Sequence, residues 1–166
     1  MVAIYACMHL EIPYIPIDEI YPLDRIEKVK DIAEVQWIVN TTESLFRFPN
    51  TGEIQLTELA CELIQTSQNI GHERLSTDDP LVYIIFTSGS TGEPKGVQIS
   101  TEAVQSFTRW MTSDFGFSEN DVFINTAVLS FDLSVFEVMT FGALGGTLLL
   151  NDKATGSNPQ KLIERI

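Results

Sequence analysis

Tyr83-Ile84-Ile85-Phe86-Thr87-Ser88-Gly89-Ser90-Thr91-Gly92-Glu93-Pro94-Lys95-Gly96-Val97 is the stretch on which the reading of this 166-residue chain turns. Its first part, Leu81 to Phe86, is a short apolar, β-rich run and predicts a buried strand. The run stops at Thr87-Ser88-Gly89-Ser90-Thr91-Gly92. Gly89, Gly92 and Gly96 permit positive φ and let a ligand come close to the backbone. The hydroxyls of Thr87, Ser88, Ser90 and Thr91 are short donors that can face an anion beside exposed N–H groups. Lys95 then adds a mobile positive charge. Strand, hydroxyl- and glycine-rich loop, then lysine is a pattern suited to holding a polyphosphate.

The commonest phosphate loop, G-x-x-x-x-G-K-[ST], does not fit. Counted from Gly89, it requires a second glycine where the chain has Pro94, and Ser or Thr where it has Gly96. No G-x-G-x-x-G occurs either, which removes the dinucleotide fingerprint. A flexible Ser/Gly turn with a solvated lysine is the plain alternative for so short a motif.

The longer stretch Thr87 to Val97, placed after a strand, resembles the signature of adenylate-forming enzymes. That group contains acyl-CoA synthetases, luciferases and peptide-synthetase adenylation domains. Tyr14-Ile15-Pro16-Ile17-Asp18, Tyr21-Pro22 and Arg25-Ile26 match the same families and are read as fold-building. The resemblance implies that residues 88–96 embrace the β- and γ-phosphates of ATP. The nucleotide-contacting set is Thr87, Ser88, Gly89, Ser90, Thr91, Gly92, Lys95 and Gly96. Lys95 is the catalytic cation, countering charge on the departing pyrophosphate, and Thr91 reaches Mg²⁺.

A second chemical position lies at Leu129-Ser130-Phe131-Asp132-Leu133-Ser134-Val135-Phe136-Glu137. Locally, Asp132 has two readings: a helix N-cap, shared with Ser134, or a carboxylate facing an amine in a mostly apolar pocket. Phe131-Asp132-Leu133-Ser134 resembles the Phe-Asp-x-Ser motif of the amino-acid-activating branch, whose aspartate holds the substrate α-amino group. The surrounding phrasing, including Gly96-Val97-Gln98-Ile99-Ser100 and Ser106-Phe107-Thr108-Arg109-Trp110, resembles ligases that activate D-alanine and load it onto a phosphopantetheinyl carrier protein for cell-wall modification. Peptide-synthetase modules are close relatives. An acyl-CoA synthetase and a non-catalytic α/β piece that binds a partner stand as alternatives.

Composition sets bounds on these readings. The net charge of −13, from 23 acidic and 10 basic residues, argues against nucleic acid or an anionic membrane as partner. Cys7 and Cys61 have no C-x-x-C partner, and His9 and His72 stand alone, so two buried free thiols and no metal cluster are expected. No apolar run approaches the roughly 20 residues of a transmembrane span. No leader pattern is present, and a cytoplasmic protein is expected.

Periodicity predicts helix over Leu23–Ala33, strand at Val35–Val39, a short helix capped by Thr57 and running through Gln65, and a polar loop over Ser67–Asp79. Beyond the phosphate loop come strand at Val97–Ile99, helix from Ser100 or Thr101 to about Ser113, strand at Val122–Asn125 and strand at Thr147–Leu150. Met1–Leu10 reads as the tail of a helix, followed by an extended, proline-bearing stretch at Glu11–Asp18. The expected class is α/β, a partial layered mixed or mainly parallel sheet with flanking helices. The resemblance makes residues 1–166 a fragment of the large N-terminal portion of an AMP-binding (adenylation) domain, with the C-terminal lid domain absent. Such a fragment is expected to be inactive alone and to self-associate through its truncated surfaces.

Overall fold

A computed structural model describes residues 1–41, 51–56, 61–64, 78–88, 92–151, 153–156 and 158–164. The described elements, in chain order, are helices α1 (Val2–His9) and α2 (Leu23–Ile32), then strands β1 (Trp37–Asn40), β2 (Gly52–Leu56) and β3 (Cys61–Ile64). The hairpin strands β4 (Leu81–Ser88) and β5 (Pro94–Ser100) lead into α3 (Thr101–Asp114). Strand β6 (Val122–Ile124), α4 (Leu133–Leu144) and β7 (Thr147–Leu149) follow, and the short α5 (Lys153–Gly156) and α6 (Pro159–Ile163) come last.

The sheet is mixed, in three small pieces among the described residues. β1 pairs parallel with β2 and β6 parallel with β7, whereas β2–β3 and β4–β5 are antiparallel. The β6–α4–β7 unit is the strand–helix–strand crossover that a parallel pair needs. It can be short because Gly145 ends α4 at φ +72°, where its N–H donates to Phe141 O at 2.9 Å.

Two expectations of secondary structure change. The helix placed between Thr57 and Gln65 is replaced at 61–64 by strand β3, which runs antiparallel to β2; Thr57 and Gln65 themselves lie outside the described residues. Gly52-Glu53-Ile54-Gln55-Leu56 alternates polar and apolar with period two, and a neighbouring strand completes its ladder. The phosphate-loop strands are also longer than read. Thr87 and Ser88 stay in β4, and Lys95 belongs to β5. The loop of 67–77 and His72 lie outside the described residues.

The core gathers where β4 meets α4. Tyr83 and Ile85 from β4 are buried with Val138 and Met139 from α4, and Tyr5, Tyr14, Leu129 and Val135 pack around them. Burying each such side chain contributes about 1.5–3 kcal/mol. Tyr14, in the extended stretch, bridges parallel to β4: its N–H donates to Val82 O (3.2 Å) and its carbonyl accepts from Ile84 N (3.0 Å). Helix α1 is tied to α4 by the Tyr5 hydroxyl, which donates to Val138 O at 2.8 Å. Phe117, Phe123 and Phe136 form a second, aromatic cluster with ring centroids 5.2–5.8 Å apart.

Helix α3 starts as the sequence predicts. The Ser100 hydroxyl accepts from Ala103 N, and the Asp79 carboxylate takes Glu102 N at 2.9 Å. Cys7 is a free thiol but half-buried rather than buried, and the apolar surroundings push its pKa up. Among the described residues no helix is long and apolar enough to cross a membrane.

Candidate active site

The β4–β5 hairpin carries the described phosphate-loop residues at its end. Thr87 pairs with Lys95 and Ser88 with Pro94, so the chain turns between Ser88 and Pro94. Gly92 takes φ +82°, a left-handed conformation that glycine adopts without strain. Gly96 also meets a packing need. An added Cβ there would stand 2.9 Å from Ile84 Cγ2 and 3.1 Å from Phe86 Cζ, so glycine is demanded by packing across the ladder. Gly89, Ser90 and Thr91 lie outside the described residues.

Thr87, Ser88 and Lys95 are exposed at this end of the hairpin. The Thr87 hydroxyl donates to the Lys95 carbonyl at 3.5 Å, a long bond that leaves its oxygen able to accept or be redirected. Among the described residues the Lys95 ammonium has no ion-pair partner. The neighbouring carboxylate, Glu93, is engaged instead by Lys28 of α2 at 3.0 Å. Hairpin end and lysine therefore offer an accessible positive charge beside hydroxyl donors.

Asp132 stands at the N-cap position of α4, but with helical dihedrals (φ −60°, ψ −30°) and no capping hydrogen bond from its side chain. The capping alternative is thus not adopted. Ser134 secures the turn instead, its hydroxyl donating to Phe131 O (2.7 Å) and Leu129 O (3.2 Å). The Asp132 carboxylate is exposed between the apolar side chains of Phe131 and Leu133, themselves largely exposed. Burial pushes the Tyr83 phenol up, and the Asp132 charge raises it further. Helix α4, which begins just after Asp132, packs on β4 through Val138 and Met139 against Tyr83 and Ile85, and Thr87 lies four residues beyond Tyr83 in that strand.

The structure adds residues that sequence reasoning passed over. Glu137 of α4 is buried and accepts from Thr126 N (3.0 Å), Thr126 Oγ1 (3.1 Å) and Asn125 Nδ2 (2.5 Å). One signal was available: a glutamate in Leu133-Ser134-Val135-Phe136-Glu137-Val138-Met139, a helix apolar on nearly every side. A cavity of about 650 Å³ between α1, α3 and α4, walled by Tyr5, Met8, Val104 and Met139, contains none of the site residues. Among the described residues no three His, Cys, Asp or Glu side chains converge on a metal position.

The chain belongs to the AMP-binding enzyme family, whose profile matches residues 1–166. Among curated relatives, the D-alanine–D-alanyl carrier protein ligase of Bacillus licheniformis is 35% identical over 99% of this chain and 33% of its own length. The ligase of the same name from Listeria monocytogenes is 37% identical over 92% of this chain and 31% of its own. The chain thus spans about a third of the length of these relatives. Among solved structures, CmiS6 superposes with a TM-score of 0.82 at 22% identity, covering 98% of this chain and 39% of that one. That likeness bears on the fold alone and agrees with the α/β class.

Proposed function

We propose that this chain supplies the phosphate-binding and amine-binding part of a ligase that activates an amino acid, D-alanine or another small one, as its adenylate. The observation that carries this reading is the exposed, uncapped Asp132 carboxylate at the start of α4, the helix packed on β4, the strand that ends in Thr87 and Ser88. The identities to D-alanine–D-alanyl carrier protein ligases support the substrate class.

In this reading the substrate carboxylate attacks the α-phosphorus of ATP, the bond to the bridging oxygen breaks, and pyrophosphate leaves. Lys95 and the hydroxyls of Thr87, Ser88, Ser90 and Thr91, with the backbone of Gly89, Gly92 and Gly96, counter the charge that collects on that leaving group. Asp132 holds the α-ammonium by a charge-assisted hydrogen bond and so aims the carboxylate, a proximity role. A carrier-protein phosphopantetheine thiol then attacks the acyl carbon, releasing AMP and forming the thioester as the thiol proton departs.

Mg²⁺ suits this donor set. The described residues offer no carboxylate cluster, so the ion would be held chiefly by phosphate oxygens, with Thr91 as a contact from the chain. Bound there, it would supply charge neutralisation between the phosphates. Because ATP and a carrier protein are the partners, a cytoplasmic setting fits. Exposed apolar side chains, among them Ile20, Val122 and Leu133, favour self-association of the isolated chain or burial against further polypeptide. In this reading residues 1–166 belong to the large N-terminal portion of an adenylation domain.

ATP–pyrophosphate exchange over an amino-acid panel tests the proposal, run on this chain and on the longer polypeptide that contains it. Exchange in the longer polypeptide with D-alanine preferred is the expected result. Exchange driven by acids that lack an α-amine, with none from amino acids, would overturn it in favour of an acyl-CoA synthetase.

A further inference from the structure

Glu137 is a charged group that the reaction above does not use. It is 6% exposed, and among the described residues no cation pairs with it. A buried carboxylate in that position is costly unless hydrogen bonds replace its water. Here they do, and every donor comes from the segment that leaves β6. Oε1 takes the backbone N–H and the hydroxyl of Thr126, and Oε2 takes the Asn125 amide.

The same amide also donates to Ala127 O at 2.9 Å. Asn125 is held from the other side as well: its N–H donates to Leu149 O (2.9 Å) and its carbonyl accepts from the Asn151 amide (3.0 Å). These bonds lie at the carboxyl ends of the parallel strands β6 and β7, where open α/β sheets place their ligands. The connection from Asn125 to Asp132 is thus fastened at its start by Glu137 and at its end by Ser134. Glu137 lies five residues beyond Asp132 in the same helix, about 7.5 Å along its axis.

We infer that Glu137 is a positioning residue for the amine site: it locks the end of β6 onto α4 and thereby fixes where Asp132 stands. The inference rests on the reading of Asp132 as the amine anchor. It makes glutamate, rather than glutamine, the required residue. In Glu137→Gln one oxygen still serves Thr126, but the new NH₂ meets the NH₂ of Asn125, two donors face to face. Turning the Asn125 amide over relieves that clash only by setting its oxygen against Ala127 O.

The test measures KM for the amino acid and KM for ATP by pyrophosphate exchange, together with Tm, in the full polypeptide that carries these residues. Wild type, Asp132→Ala, Glu137→Gln and the milder Thr126→Val are compared. The expected result is a rise of about tenfold in amino-acid KM for Glu137→Gln and a smaller one for Thr126→Val, with ATP KM unchanged in both. A role in stability alone would lower Tm and leave both KM values where they were. That outcome, with Asp132→Ala defective, overturns the positioning role and leaves the amine anchor standing. If Glu137→Gln does not fold, Thr126→Val decides by the same criterion. Unchanged amino-acid KM in Asp132→Ala, or no amino-acid-dependent exchange in the wild type, overturns the anchor and the positioning role together.

Discussion

The two halves of the candidate site are held in opposite ways. The hairpin end presents the exposed side chains of Thr87, Ser88 and Lys95 on antiparallel strands, with ladder hydrogen bonds and one exposed ion pair, Lys28–Glu93, around them. The connection that ends in Asp132 is fastened by a buried carboxylate, two asparagine amides and a serine hydroxyl. A polyphosphate is large and multiply charged, so a lysine on a long stem can follow it. An ammonium on a small substrate is a single point, and its partner must already stand in place.

That contrast orders the predictions. Lys95→Ala in the active polypeptide should lower the exchange rate about 100- to 1,000-fold, the usual effect of removing a preorganised charge donor; a loss below tenfold would mean that other hairpin groups carry the charge. Asp132→Ala should raise amino-acid KM about 10- to 100-fold, the loss of one charge-assisted bond. ATP KM should stay within about twofold, since that bond does not involve the nucleotide.

Smaller effects concern stability. Gly96→Ala should destabilise the fold by about 1–3 kcal/mol through contact with Ile84 and Phe86, read by denaturant titration. Thr140→Val should do the reverse. Thr140 Oγ1 is fully buried in α4 without a hydrogen-bond partner among the described residues, and removing it should add about 1 kcal/mol. Tm would rise by about 2–4 °C.

The least effect is at the base of the hairpin. The Ser100 hydroxyl and Glu102 N–H hold the Asp79 carboxyl below its ordinary value of 3.8. Its contribution is therefore present above that value and lost as pH falls through the lower folded one. Asp79→Asn should flatten the acid limb of the stability curve. An unchanged limb would assign it to other carboxylates.

How far each half could be read from the sequence follows from the same contrast. The hairpin is local: strand, turn residues and lysine lie within fifteen positions, and their chemistry is visible in order. Its antiparallel closure was less visible, because Thr87, Ser88 and Lys95 look like loop residues until the ladder pairs them. Asp132 was legible as a carboxylate between apolar neighbours, but whether it caps α4 depended on the helical backbone it adopts, which no local pattern reveals. The Glu137 network joins residues 125, 126, 137 and 151, which no short pattern connects. Strand β3 was missed because residues 61–64 form a strand only against β2, a pairing that outweighs weak local preference.

The ion pair between Lys28 and Glu93 bears on how a polyanion approaches a chain carrying thirteen net negative charges. Glu93 sits in the turn itself and, unpaired, would repel an incoming phosphate. A lysine from sixty-five residues upstream cancels that repulsion before any ligand arrives. Both side chains are about half exposed or more, so added salt loosens the pair as it also screens Lys95. Salt screens the Glu93 repulsion together with the Lys95 attraction, so Lys28→Ala should weaken nucleotide capture most at low ionic strength.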